Sequence, residues 1–139
     1  MATTWRIDPV GPLRGDVVVR GSKNAVTKHM VAALLAGGPC TIQNCPEIGD
    51  IEITAGMLES LGCSVEIDGD MVTVDSTGLA SGQVPGTYGG LNRIPILMLG
   101  PLLHRLGEVY VPTVGGDRIG PRRSTSTSTR WSRWVPRSW

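Results

Sequence analysis

Twice along this chain, apolar residues recur at helical spacing, are stopped by glycine, and give way to a short strand-like run. Val26, Met30, Ala33 and Leu34 fall on one face of a helix predicted over Lys23 to Ala36, and Gly37-Gly38-Pro39 ends it. Ile51, Ala55, Leu58 and Leu61 repeat the pattern over Ile51 to Leu61, and Gly62 stops it. Ser22 and Asp50 precede these runs as expected N-caps. Between and after them, Thr41 to Gln43 reads as a short strand. Val65 and Ile67, then Met71 to Val74, read as a hairpin around Asp68-Gly69-Asp70. A third helix is expected over Leu91 to Leu106, irregular at Gly100-Pro101, followed by a strand over Glu108 to Val111. Arg6 to Ile7 and Asp16 to Arg20 read as strands around the turn Pro9-Val10-Gly11-Pro12. Helices alternating with paired short strands indicate a repeated α+β unit rather than a doubly wound sheet.

The bulk numbers narrow the function classes. A chain of 139 residues is at most one ordinary domain. A net charge of +1 makes no electrostatic case for nucleic acid or a membrane surface. The most apolar run, Ile94 to Leu103, is interrupted by Pro95 and Pro101 and is too short to span a bilayer. Phe is absent, so the core must be built from aliphatic residues and methionine. Cys40, Cys45 and Cys63 have neither metal-ligand spacing nor an even disulfide count, and read as buried thiols in a reducing cytosol. No signal peptide is indicated at the N-terminus. His29 and His104 read as helix-face residues.

The segment Gly21-Ser22-Lys23-Asn24-Ala25-Val26-Thr27-Lys28 opens the first helix. Free backbone N–H groups and the positive dipole end make such a start attractive to phosphate or carboxylate, and Lys23 and Asn24 stand there to bind one. Taken alone, the run is equally a solvated lysine and a capping asparagine. A second cluster follows far downstream, Gly115-Gly116-Asp117-Arg118-Ile119-Gly120-Pro121-Arg122. Its glycines suit either close ligand approach or a simple turn.

Together the two clusters resemble the enolpyruvyl transferases, from about Ile7 to Arg122. The resemblance implies transfer of the enolpyruvyl group of phosphoenolpyruvate to a hydroxyl of a small-molecule acceptor, by addition and then loss of phosphate, without metal or cofactor. It implies that Lys23 meets phosphoenolpyruvate, that Asn24 helps hold substrate, and that Arg93 and Arg122 bind its anionic groups or those of a nucleotide sugar. Asp117 stands where many family members carry a reactive cysteine, and is expected to be the catalytic acid, with Lys23 beside it. The cysteine is the target of fosfomycin, so an aspartate implies insensitivity. Lys23-Asn24, rather than lysine followed by serine, points to the branch using UDP-N-acetylglucosamine in peptidoglycan precursor synthesis rather than the shikimate branch.

The resemblance also implies an inside-out α/β barrel of repeated α/β units, incomplete in this chain. Residues 1–22 would be strands belonging with a second domain of a longer parent protein, 23–122 part of the first domain, and 123–139 a tail of different origin. The parent would be cytoplasmic, with its second-domain base and remaining arginine beyond residue 139. The chain alone is therefore expected to be inactive, with exposed apolar helix faces and open strand edges.

From Arg123 the composition changes. Ser124 to Thr129 alternate strictly, and Trp131, Trp134 and Trp139 follow among arginines without an acidic residue. One reading is a disordered basic tail. The other is a frameshift. With permitted codons, a one-base shift converts Ser124 to Trp139 into Ile-Asp-Ile-Asp-Val-Asp-Ala-Leu-Val-Ala-Leu-Gly-Ala-Glu-Val-Val, which mirrors Leu58 to Val65 of this chain as an internal repeat should. Beside the cell-wall branch, a sister transferase acting on another nucleotide and a non-enzymatic phosphate-binding module stand as the other functional readings.

Overall fold

The computed structural model describes residues 4–116; Asp117, Arg122 and the tail lie outside the described residues. Helix α1 spans Lys23–Ala32 and tightens into a 3-10 turn at Ala33–Leu35; strand β1 is Pro39–Ile42 and helix α2 is Gly49–Ser60. Strands β2 (Ser64–Asp68) and β3 (Met71–Asp75) follow, then a 3-10 turn at Gly86–Tyr88 and helix α3, Ile94–Leu106. The sheet order is β1-β3-β2, antiparallel throughout.

The sheet shows its two sides in the register. Cys40, Val74 and Val65 lie opposite one another, as do Ile42, Val72 and Ile67, while Thr41, Thr73 and Glu66 occupy the alternate face. Val72 and Val74 are buried against the helices, and on the outer face the hydroxyls of Thr41 and Thr73 pair at 3.0 Å. The helical stripes close onto this surface. Met30, Leu34, Met57, Leu58, Leu61, Met98 and Leu102 are all fully buried. The molecule is thus an α+β layer pair with a sheet on one side and α1, α2 and α3 on the other. Both predicted stripes fall inside this core, and the hairpin turns where expected, through Gly69-Asp70.

Several expectations need correction. Residues 4–20 form no strand; Trp5, Ile7, Val17, Val18 and Val19 are exposed. A strand is made by ladder partners as much as by its own residues, and none lies beside this segment among the described residues. Glu108 to Val111 similarly reduces to one bridge, Gln83 with Tyr110. The predicted apolar stripes are covered, while Leu35 and Leu97 are exposed on the helical layer and β1 and β2 are the edges of the sheet. Among the described residues, seven of the 13 large exposed apolar side chains lie in residues 5–19. Cys45 and Cys63 are buried, but Cys40 is only partly so. Burial raises the thiol pKa of Cys45 and of Cys63 above the ordinary value. His29 and His104 are exposed on their helices, as expected.

Candidate active site

The start of α1 is fixed by a close backbone approach. The Gly21 N–H donates to the Asn44 carbonyl at 3.0 Å, and a side chain at Gly21 would collide with that same oxygen. This clamp ties the segment before Lys23 to the end of β1. Ser22 occupies the N-cap position with extended backbone, but its side chain makes no cap hydrogen bond. The first-turn donors of α1 therefore have no side-chain acceptor from the cap residue.

Asp50 does not cap α2, because the helix begins one residue earlier, at Gly49, with Ile48 as the N-cap residue. The carboxylate lies in the first turn, where the helix dipole favours it, and forms an ion pair with the Lys23 ammonium. The third helix starts at Ile94 rather than Leu91, with Arg93 at its cap position and Pro95 in its first turn. The Ile94 N–H donates to Asn92 Oδ1 at 3.0 Å, which leaves Asn92 Nδ2 facing Asp50 Oδ1 at 3.5 Å. One orientation of this buried amide serves both contacts. Pro101 does not break α3; it removes one N–H from the ladder within a continuous helix.

The starts of all three helices thus meet. Lys23, Asn24, Thr27, Lys28, Asp50, Asn92, Arg93 and Gly116 line a groove of about 460 Å³, with Leu91, Ile94, Ile96 and Leu97 as its apolar wall. The structure brings Lys23, Asn24 and Arg93 together from distant parts of the chain. Lys28 turns back along α1 and donates to the Asn24 carbonyl at 2.7 Å. Three helix starts and two candidate cations at one place give a field suited to a compact anion.

The second glycine cluster reaches the same groove. Gly90 N–H donates to the Thr113 carbonyl at 3.0 Å, and Gly115 N–H to the Asn92 carbonyl at 2.9 Å. A side chain at Gly115 would run into the Gly90 backbone, and Gly116 has φ +105° beside the Arg93 stem. Close packing and a left-handed turn, the plainer of the two readings, account for both glycines. They also carry the chain to the groove rim immediately before Asp117.

Sequence reasoning missed Asp50 and Asn92 as groove residues. The signal for Asn92 was present: an asparagine shortly before an apolar run with proline in its first turn marks a helix start. For Asp50 the only signal was that of a cap; its approach to Lys23 depends on how α1 packs on α2. Among the described residues no cluster of His, Cys, Asp and Glu could hold a metal ion, and no helix is long and apolar enough to cross a membrane.

Comparison with known proteins places the chain in a family. Residues 7–123 match the family described as EPSP synthase (3-phosphoshikimate 1-carboxyvinyltransferase). The UDP-N-acetylglucosamine 1-carboxyvinyltransferase of Chlamydia pneumoniae is 48% identical over 115 residues, covering 81% of this chain and 25% of that protein. The protein of the same name from Corynebacterium efficiens is 44% identical over 110 residues, covering 79% of this chain and 26% of its own length. The chain therefore spans about a quarter of the length of the curated relatives it matches. Among solved structures, the enolpyruvyl transferase NikO from Streptomyces tendae aligns with a TM-score of 0.63 at 27% identity, over 68% of this chain and 22% of that one. With the match extending over most of its length and a fold shared with an enolpyruvyl transferase, this chain belongs to the EPSP synthase family.

Proposed function

We propose that the groove is the phosphoenolpyruvate half of an enolpyruvyl transferase site, in a longer protein acting on the 3-hydroxyl of UDP-N-acetylglucosamine. The observation that carries this reading is the convergence of Lys23, Asn24 and Arg93 on one groove whose rim leads directly into Asp117. Phosphoenolpyruvate presents a phosphate and a carboxylate together, so its site needs more than one cation and several neutral donors. Lys23 supplies a compact charge, Arg93 a planar fork suited to two oxygens, and the α1 start a set of N–H groups. Arg122 adds a further guanidinium.

In the reaction, the acceptor hydroxyl oxygen bonds to the central carbon of phosphoenolpyruvate, and the methylene carbon takes a proton from Asp117. The tetrahedral intermediate then loses a methyl proton and phosphate, restoring the double bond. Lys23 and the arginines stabilise charge on phosphate through both steps. The base for the hydroxyl belongs to a second domain, so residues 23–122 supply phosphoenolpyruvate binding and the proton donor rather than the whole of turnover. We assign residues 23–122 to the first domain. Residues 1–22 belong with the second, a reading supported by the exposure of Trp5, Ile7, Val17, Val18 and Val19. The reaction is placed in the cytoplasm, where phosphorylated metabolites are held.

The curated relatives' name favours the amino-sugar acceptor over shikimate 3-phosphate. The test uses the longer protein. Phosphate release should require UDP-N-acetylglucosamine, should vanish in Asp117→Ala, and should resist fosfomycin. Turnover retained in Asp117→Ala removes that residue from catalysis. Turnover with a different nucleotide in place of UDP-N-acetylglucosamine reassigns the acceptor.

A further inference from the structure

Asp50 is an anion placed inside a groove read above as a site for anions. Its Oδ2 holds the Lys23 ammonium, and its Oδ1 faces Asn92 Nδ2. The carboxylate side chain is 22% exposed and the lysine side chain 63% exposed, so solvent and small ions reach the pair from the lysine side. Asp50 is also fixed, by its position in the first turn of α2 and by an asparagine whose other end is committed to the Ile94 N–H. Lys23, in contrast, sits at the first position of α1 on a flexible four-carbon stem. A ligand phosphate arriving at the α1 start meets a lysine already engaged by a carboxylate that stays behind when the lysine moves.

We propose that Asp50 is a resident counter-anion of the groove: it positions the Lys23 ammonium and competes with the incoming anionic group for it. Resting on the phosphoenolpyruvate reading of the site, the inference adds a residue that acts through Lys23 and against ligand affinity. The pair holds the lysine at the groove when no ligand is present, and it lowers the net attraction for any anion. Release of ligand is eased for the same reason, since the carboxylate reclaims the ammonium.

The sign of the effect separates this role from a merely structural one. Asp50→Asn keeps a side chain of the same shape, with an oxygen for Asn92, and removes the charge. Binding of phosphoenolpyruvate to the whole 139-residue chain is followed by the amide NMR shifts of α1. Asp50→Asn is expected to tighten it about threefold to fivefold, the worth of a half-exposed ion pair. Asp50→Glu, which restores the competing charge, is expected to return the affinity to within about twofold of the starting protein, the margin of a weak exposed pair. If Asp50→Asn does not fold, Asp50→Ser keeps a hydrogen-bonding group in the first turn and the same tightening is expected. Binding that is unchanged or weaker in the neutral variants, while still weakened in Lys23→Ala, overturns the counter-anion role and leaves the groove assignment standing. No binding to the starting protein or to the neutral variants overturns both.

Discussion

The two ends of the helical layer are finished in opposite ways. At the groove end, α1, α2 and α3 all begin, none has its first turn closed by the side chain of the residue at its cap position, and Lys23, Asp50 and Arg93 gather there. At the other end, the carbonyls that the helices leave free are taken up by the protein itself. Arg105 Nη1 donates to the Leu34 carbonyl at 2.7 Å, and Ser76 Oγ to the Ala33 carbonyl at 3.1 Å. The Leu61 carbonyl accepts from Ala80 N–H at 3.0 Å and Ser81 N–H at 3.1 Å. Because α1 and α3 start at one groove and meet again through Arg105, they run in the same direction. Parallel helices add their dipoles, which favours negative charge at one end and positive donors at the other. On the proposed function, the contrast separates ligand chemistry, at the open end, from stability, at the closed one.

The strongest way to break that separation is to empty the core that both ends share. Leu34 is fully buried where the closed end begins. Leu34→Ala should cost about 2–5 kcal/mol of unfolding free energy, read from urea denaturation of the chain. A cost below about 0.5 kcal/mol, the ordinary range for surface changes, would take Leu34 out of the core that joins the two ends.

Arg105→Met tests the closed end alone. It keeps the stem and removes the guanidinium, leaving the Leu34 carbonyl without its charged donor. A loss of about 1.5–3 kcal/mol is expected, with phosphoenolpyruvate affinity unchanged. Weakened binding would instead mean that the two ends are coupled. Lys23→Ala is the converse. Phosphoenolpyruvate affinity should fall about tenfold, the worth of one charge-assisted hydrogen bond. Stability should shift by less than about 1 kcal/mol, since the Lys23 side of the Lys23–Asp50 pair is open to solvent. A large stability loss without an affinity loss would make the pair structural.

How much of this was legible beforehand follows the range of the interactions involved. The stripes Val26-Met30-Ala33-Leu34 and Ile51-Ala55-Leu58-Leu61 show in the sequence because a helix face is set by local spacing. The hairpin at Gly69-Asp70 shows for the same reason. Asp16 to Arg20 and Glu108 to Val111 carry strand-like composition but depend on partners elsewhere, so residue content alone misassigns them. Lys23 and Arg93 were paired through family resemblance; nothing in their spacing brings them to one groove. Asp50 stood outside both routes, since a carboxylate at a helix start looks like a cap until the neighbouring helix is in place.

The smallest expected effect belongs to the closed end and gives it a pH signature. Asp75 ends β3 and turns the chain into Ser76, whose hydroxyl reaches the Ala33 carbonyl. The Asp75 carboxylate accepts from the Thr77 N–H at 2.9 Å and from the Thr77 hydroxyl at 2.8 Å. The backbone donor first, then the hydroxyl, hold its pKa below the usual carboxylate value. The folded protein therefore binds this proton less readily than the unfolded chain. The stability it contributes is fully present above the unfolded carboxylate pKa, about 3.9, and is lost as pH falls through the lower folded value. Asp75→Asn keeps an acceptor for Thr77 but cannot titrate. Its melting temperature should decline less than that of the starting protein as pH is lowered from about 5, and the two should respond alike at neutral pH. If the two profiles stay parallel into acid, the Asp75 turn does not contribute to closing that end. Ser76 would then be held by the hairpin alone.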